Sequence, residues 1–394
     1  MNGEPATKIT VERIPYVVLF QEKAAYKDTY GGVAGMVLLK AHLLKPSVPS
    51  KTVIVFMHPI GGGEYLPMPH ALAKAGHHVI YCNSRYPGVD YALQMEKVAV
   101  DLGECIRDAK SRLGYERVVL GGWSGGGSLS AFYQAEAESP SVTATPAGEP
   151  PDLTKAKLIP ADALMLIAAH VSRATTLTES LDASIIDERD PERRDRELDL
   201  YDPRNPNQPP YSAEFLARYR AAQIARNRRI TAWVKDKLAT LRAAGREHEE
   251  FGFVVHGTMA DPRFVDPAVD PNDRPPGQCF LGDPKTVNMS PVGLARFCTL
   301  RSWLSQWSYD DSHADGVRSL ARVKVPVLVI GNSADDICTP SHAQRLFDAI
   351  AHDDRQVAQI KGATHYYLGQ KQQLMESVAI VTDWLRRHGL GNAG

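Results

Sequence analysis

Ser124 stands in Gly121-Gly122-Trp123-Ser124-Gly125-Gly126-Gly127-Ser128, directly after the apolar run Val118-Val119-Leu120. The G-x-S-x-G spacing suits a nucleophile held on a sharp strand-to-helix turn. Gly122 and Gly126, two residues either side, have no Cβ to collide in such a turn. Leu129–Glu138 read as a helix, whose start would aim backbone N–H groups and a positive dipole end at the serine. The other use of a glycine-rich turn is to cradle phosphate. That reading fails, because the chain has no G-x-x-x-x-G-K-[ST] and GGWSGGGS does not fit G-x-G-x-x-G.

A serine hydroxyl is a weak nucleophile at neutral pH and needs a base steered by an acid. His365 offers itself in Lys361-Gly362-Ala363-Thr364-His365-Tyr366-Tyr367, after an expected strand over Gln356–Ile360. Asp335 and Asp336 follow another, Val325–Ile330, in Gly331-Asn332-Ser333-Ala334-Asp335-Asp336. Both loops leave the C-terminal ends of strands, where open parallel sheets place their sites. The order serine, acid, histidine is the third element of the pattern. His77, His78, His170, His256 and His313 have no metal-ligand spacing, and no metal or cofactor is expected.

With these residues in place the chain resembles the α/β-hydrolase superfamily over roughly residues 14–170 and 318–390. The resemblance implies a serine hydrolase in which Ser124 attacks, His365 is the base and Asp335 the orienting acid. Asp335 is preferred to Asp336 because Cys338 then stands three residues beyond the acid, the small-residue spacing of similar hydrolases. The loop His58-Pro59-Ile60-Gly61-Gly62-Gly63-Glu64-Tyr65 is similar to the segment that supplies one oxyanion-hole N–H. Pro59 has no N–H, so Ile60 or Gly61 would donate, with Gly125 as the second donor. His58 is read as holding this loop, and Asn83–Gly88 as a turn supporting the site. A serine at the elbow argues against the epoxide-hydrolase and dehalogenase branches, which use aspartate.

The elements that must position these residues alternate along the chain. Strands are expected at Tyr16–Phe20, Met36–Leu44, Thr52–Met57, His78–Cys82, Arg117–Leu120 and Ala163–Ala168. The unbroken apolar run Val53-Ile54-Val55-Phe56-Met57 suits a parallel sheet covered on both faces. Helices are expected over Tyr91–Leu113, Ser341–Ala351 and Gln373–Arg387. The rhythm breaks after the sixth strand for about 150 residues, which are read as an inserted cap. Asp187–Leu200 has 11 charged residues in 14 and is expected to be a solvated face. Tyr211–Arg246 is expected to be one long helix or two, Asp261–Pro291 irregular, and Leu294–Trp307 helical. Ser139–Asp152 reads as an exposed, mobile linker.

The fold class expected is therefore α/β: a mostly parallel sheet flanked by helices, residues 1–170 and 313–394, with a large, mainly helical cap over residues 171–312. The insertion carries Trp233, Phe251, Phe253, Phe264, Phe280, Phe297, Trp303, Trp307 and Tyr309. Most should form its own core, and the rest should wall the pocket and favour an apolar or aromatic group. The substrate expected is a small molecule with a carboxylic ester or lactone. Acyl transfer, carbon–carbon bond hydrolysis and a non-catalytic binding scaffold remain open at this point.

Composition sets the outer bounds. Lysine and arginine total 45 against 46 acidic residues in 394, so nothing favours a nucleic-acid partner. Ala163–Ala169, the longest strongly apolar stretch, falls far short of the ~20 residues that cross a bilayer. The first twenty residues contain no apolar h-region, and the five cysteines form no C-x-x-C pair. A reducing, cytoplasmic setting is expected, and a homo-oligomer is compatible with all of this.

Overall fold

The computed structural model describes residues 9–22, 35–64 and 66–392. Among them are ten strands: β1 (Val11–Gln21), β2 (Met36–Pro46), β3 (Thr52–Phe56), β4 (His78–Cys82), β5 (Arg117–Ser124), β6 (Ala163–Ala169), β7 (Gly252–Val254), β8 (Phe297–Thr299), β9 (Val327–Asn332) and β10 (Arg355–Ile360). Eight form one sheet in the order β1-β2-β4-β3-β5-β6-β9-β10, and β7 and β8 form a separate ribbon. β1, β2 and β4 pair antiparallel at one edge, and β4, β3, β5, β6, β9 and β10 run parallel. β1 starts five residues before the expected Tyr16 because Val11–Gln21 pairs residue for residue with Met36–Pro46.

The parallel strands are apolar throughout because both faces are covered. Alternate residues point to opposite sides. Val53 and Val55 join Val118, Leu120 and the helix α2 residues Val98, Leu102 and Ile106 in one core layer; α2 spans Met95–Ser111. Ile54 and Phe56 join Val119, Met165 and Ile167 in the other layer, under Leu72 of α1 (Pro67–Lys74).

Helix α3 (Gly125–Glu138) follows β5 without a gap, and α4 (Arg173–Ser180) follows β6 closely. Between α4 and β9 the chain carries α5 (Ala213–Ala243), α6 (Pro284–Asn288), α7 (Leu300–Ser302) and α8 (Gly316–Leu320), with β7 and β8 among them. After β9 come α9 (Pro340–Asp348) and, after β10, α10 (Lys371–Arg387), whose Val378, Val381 and Trp384 complete the second core layer.

Helix α5 is capped by the Ser212 hydroxyl, which accepts from the Phe215 N–H. Its inner face includes Arg226, which is buried and bonded to Glu188 and to the carbonyls of Asp182, His256 and Gly257. Glu188, and Arg194 through the buried Asp182, thus anchor the charged run at two points. The segment Leu294–Trp307 departs from the expected helix. Phe297–Thr299 pairs with β7, α7 starts only at Leu300, and Trp303–Trp307 form a π turn. Trp303 and Trp307 are buried with Ile230, Val234 and Leu238 of α5. The segment Ser139–Asp152 is pinned, not loose: Glu136 accepts from the N–H groups of Ser141 and Val142, and Glu149 takes Arg301 and Arg242. All five cysteines are free and buried. Among the described residues no helix is long and apolar enough to cross a membrane.

Candidate active site

The strand order reverses between β3 and β5, and three of the loops of interest leave the same end of the sheet there and beyond. Ser124 ends β5 with φ 53° and ψ −124°, a backbone position costly for a side chain other than hydrogen. The glycines around it are required by close approach. A methyl at Gly122 would lie 2.7 Å from the Gly127 Cα, one at Gly126 2.5 Å from the Met57 carbonyl oxygen, and one at Gly127 2.3 Å from the Ala169 Cβ. Without side chains here, α3 can start against the ends of β3 and β6.

His365 lies in the loop after β10 and Asp335 in the loop after β9, and both are buried. The Asp335 carboxylate accepts at three points. His365 Nδ1 lies 2.7 Å from Oδ2, and the backbone N–H groups of Ile337 and Cys338 donate to Oδ1 at 2.8 Å each. Asp336 makes no such contact; burial first, then the neighbouring Asp335 charge, raises its carboxyl above the ordinary value. Of the two carboxylates, the structure therefore brings Asp335 to the imidazole.

His365 Nε2, the ring's other nitrogen, is buried and has no hydrogen-bond partner among the described residues. The Ser124 hydroxyl lies beside the Cys338 thiol, whose ionisation is pushed well up, by burial first and then by Asp335. Trp123 packs across the site, its ring centroid 4.8 Å from that of His365 and 5.9 Å from that of His58. Asp335, Cys338 and His365 also bring three ligand-type atoms within 4.8 Å of one another, the geometry of a cation cluster. Here Asp335 and His365 are bonded to each other.

The loop after β3 differs from expectation. The Gly61 N–H donates to the His58 carbonyl at 2.9 Å, and the Ile60 N–H donates to His58 Nδ1 at 3.3 Å. Gly62 donates to Asn83 Oδ1 at 3.0 Å. Ile60 and Gly61, the expected oxyanion donors, thus already have acceptors, because the loop curls back on His58. Asn83–Gly88 does support this loop: Ser84 Oγ donates to the Pro59 carbonyl, and the Gly88 N–H to that of Ile60. Tyr65 lies outside the described residues. Gly125 opens α3, where an N–H has no partner within the helix.

Two residues carried no sequence signal. His170 directly follows β6, and Arg173 opens α4; both are buried. Burial, with Arg173 next in order, holds His170 well below its ordinary value. Burial, Arg173 and His365 push His58 down to about 3. A separate cavity of ≈ 610 Å³ lies in the insertion, lined by Ile186, Ile230, Trp233, Phe253 and His256 and by none of these site residues. Of the insertion aromatics, Trp303, Trp307 and Phe264 are buried, whereas Trp233, Phe251 and Phe297 are exposed.

No family model and no curated protein matches this chain. Solved structures do. The α/β hydrolase GrgF from Penicillium sp. sh18 superposes with a TM-score of 0.52 at 10% identity, covering 95% of this chain and 99% of that one. A monoacylglycerol lipase from Paleococcus ferrophilus gives 0.43 at 16% identity, covering 89% and 99%. Est1E from Butyrivibrio proteoclasticus gives 0.45 at 12%, covering 91% and 96%. On strand order and on the superposition with the Penicillium protein, this chain has the α/β-hydrolase fold.

Proposed function

We propose that the protein is a serine hydrolase that cleaves carboxylic esters through an acyl-enzyme. The observation that carries this reading is the His365 imidazole: one nitrogen is fixed by Asp335 at 2.7 Å, and the other is buried and unpartnered at the strand ends that also hold Ser124. Asp335 accepts from Nδ1–H, so Nε2 carries a lone pair and can take a proton. Rotation of the Ser124 hydroxyl toward Nε2 would complete the relay. Such contacts commonly tighten only when substrate is bound.

Ser124 Oγ then attacks the ester carbonyl carbon as His365 takes the hydroxyl proton. The carbonyl π electrons move onto oxygen, where the Gly125 N–H meets the developing charge. Collapse breaks the bond to the alcohol oxygen, which leaves with the proton from His365. Water, deprotonated by the same nitrogen, attacks the acyl-serine and releases the acid and Ser124.

The test is hydrolysis of a panel of acyl and aryl esters by purified protein, with Ser124→Ala and His365→Ala controls. Turnover by wild type that both variants lose supports the reading. Turnover that survives either substitution overturns it.

A further inference from the structure

Beside the nucleophile the structure gathers side-chain nitrogens that this reaction does not use. A methyl at Gly125 would lie 2.8 Å from His58 Nε2, 3.2 Å from His170 Nε2 and 3.5 Å from Arg173 Nη1. Three side-chain nitrogens, from the loop after β3 and from the β6–α4 connection, therefore face Gly125, the residue after Ser124.

Arg173 is 6% exposed and fixed on several sides. Its Nε donates to Gln306 Oε1 at 2.8 Å, and its Nη2 to Asp90 Oδ2 at 3.1 Å. Its guanidinium carbon lies 4.2 Å from the centre of the Trp307 ring. These contacts hold the group in one orientation, and among the described residues Nη1 has no hydrogen-bond partner. His58 Nδ1 accepts from the Ile60 N–H, which leaves the ring proton on Nε2. His170 Nδ1 is buried without a partner, and its Nε2 is the atom facing Gly125.

A buried donor without an acceptor is destabilising, and more so when it carries charge. Arg173, a buried charge, meets that cost on its Nη1 edge, and the Nε2 atoms of His58 and His170 face the same residue, Gly125. Among the described residues Asp90 is the one carboxylate bonded to Arg173, and it takes Nη2, not Nη1. Burial lowers Arg173 from its ordinary value with Asp90 opposing, an imbalance that an anion on the Nη1 edge would offset. Asp335 is directed at the other side of the site, toward His365 and its own loop. The transient oxyanion has the Gly125 N–H, whereas a guanidinium is charged in every state and matches a group charged in the ground state.

We propose that His58, His170 and Arg173 form a subsite that holds a carboxylate carried by the substrate, next to the ester carbonyl that Ser124 attacks. The substrate is then a half-ester of a dicarboxylic acid or a similarly anionic ester. The word ester rests on the hydrolase reading above, while the carboxylate does not.

Two measurements separate the claims. In the first, kcat/KM is compared for 4-nitrophenyl hemisuccinate and the neutral 4-nitrophenyl butyrate. Wild type is expected to prefer the hemisuccinate, and Arg173→Met to lower that preference about 10²-fold, the loss typical of a truncated buried charge contact. The second is calorimetric titration with succinate, and with butyramide as the neutral control, which needs no turnover. Succinate binding that weakens in Arg173→Met, and also in His170→Phe if the first variant does not fold, supports the subsite even if neither ester is cleaved. In that case only the hydrolase reading fails. Equal turnover of both esters by wild type, or succinate binding absent from wild type or unchanged in the variants, overturns the subsite. An equal loss of both esters in Arg173→Met also overturns it, and would assign the guanidinium to the oxyanion or to the fold.

Discussion

His365 Nδ1 lies 2.7 Å from Asp335 Oδ2, while the same carboxylate's Oδ1 is held by the N–H groups of Ile337 and Cys338. The acid is locked by its own loop before it meets the imidazole, so it can set the ring's tautomer without moving. Asp335→Asn is expected to lower kcat by about 10⁴, since an amide can present N–H to Nδ1 and reverse the tautomer. Asp336→Asn, one residue on, should change kcat less than tenfold. Steady-state kinetics of the two variants side by side check this, and a larger loss in the Asp336 variant would reassign the acid.

Ser124 sits at φ 53° and ψ −124°, a conformation glycine adopts without strain. Ser124→Gly is therefore expected to gain stability by about 1–3 kcal/mol while losing all turnover. Urea unfolding of the variant and of Ser124→Ala separates this backbone gain from loss of the hydroxyl. A Gly variant no more stable than the Ala variant would contradict the strain.

Gly127→Ala places a methyl 2.3 Å from the Ala169 Cβ, and neither strand end can retreat without disturbing the sheet. Destabilisation by about 1–3 kcal/mol is expected. Gly148→Ala is not a matched control, because its φ is 76°. Gly252→Ala, whose nearest neighbour would be 3.9 Å away, is the better one.

Acid should destabilise the native state above the carboxylate range. His77 is buried, and burial first, then His78, lowers it to about 4; His58 and His170 are lowered as well. Between pH 4 and about 6.5 the unfolded chain binds a proton at His77 that the native state does not, so stability rises with pH across that window. The contribution is complete above about pH 6.5 and is lost as pH falls toward 4, at most about 1.4 kcal/mol per pH unit per histidine. Urea midpoints from pH 4.5 to 7.5 should show this slope, and His77→Gln should flatten it. A slope unchanged in that variant would remove His77 from the account.

The sheet, and the loops that bring Asp335 to His365, were largely legible because they depend on local pattern. Val53–Met57 is apolar without alternation since both faces are covered, and the Ser124 turn needs small residues wherever chain segments touch. Arg173 and His170 were not legible. Nothing at their own positions separates a buried site residue from a solvated one; β6 ending beside β5 gives them their place. Ile60 and Gly61 failed as free donors for a related reason, since the curl of their loop is set by His58 and by Asn83, which holds Gly62 from 21 residues away. The helix expected over Leu294–Trp307 was interrupted by pairing with Gly252–Val254, a contact outside any local window.

The central claim is that Ser124 is an activated nucleophile served by His365. Its most direct test is labelling by a fluorophosphonate probe, followed by peptide mass mapping, in wild type, Ser124→Ala and His365→Ala. The account predicts one adduct, on the peptide bearing Ser124 and at that residue, absent from Ser124→Ala and strongly slowed in His365→Ala. An adduct at Ser128, or labelling at Ser124 that proceeds equally fast without His365, would contradict it.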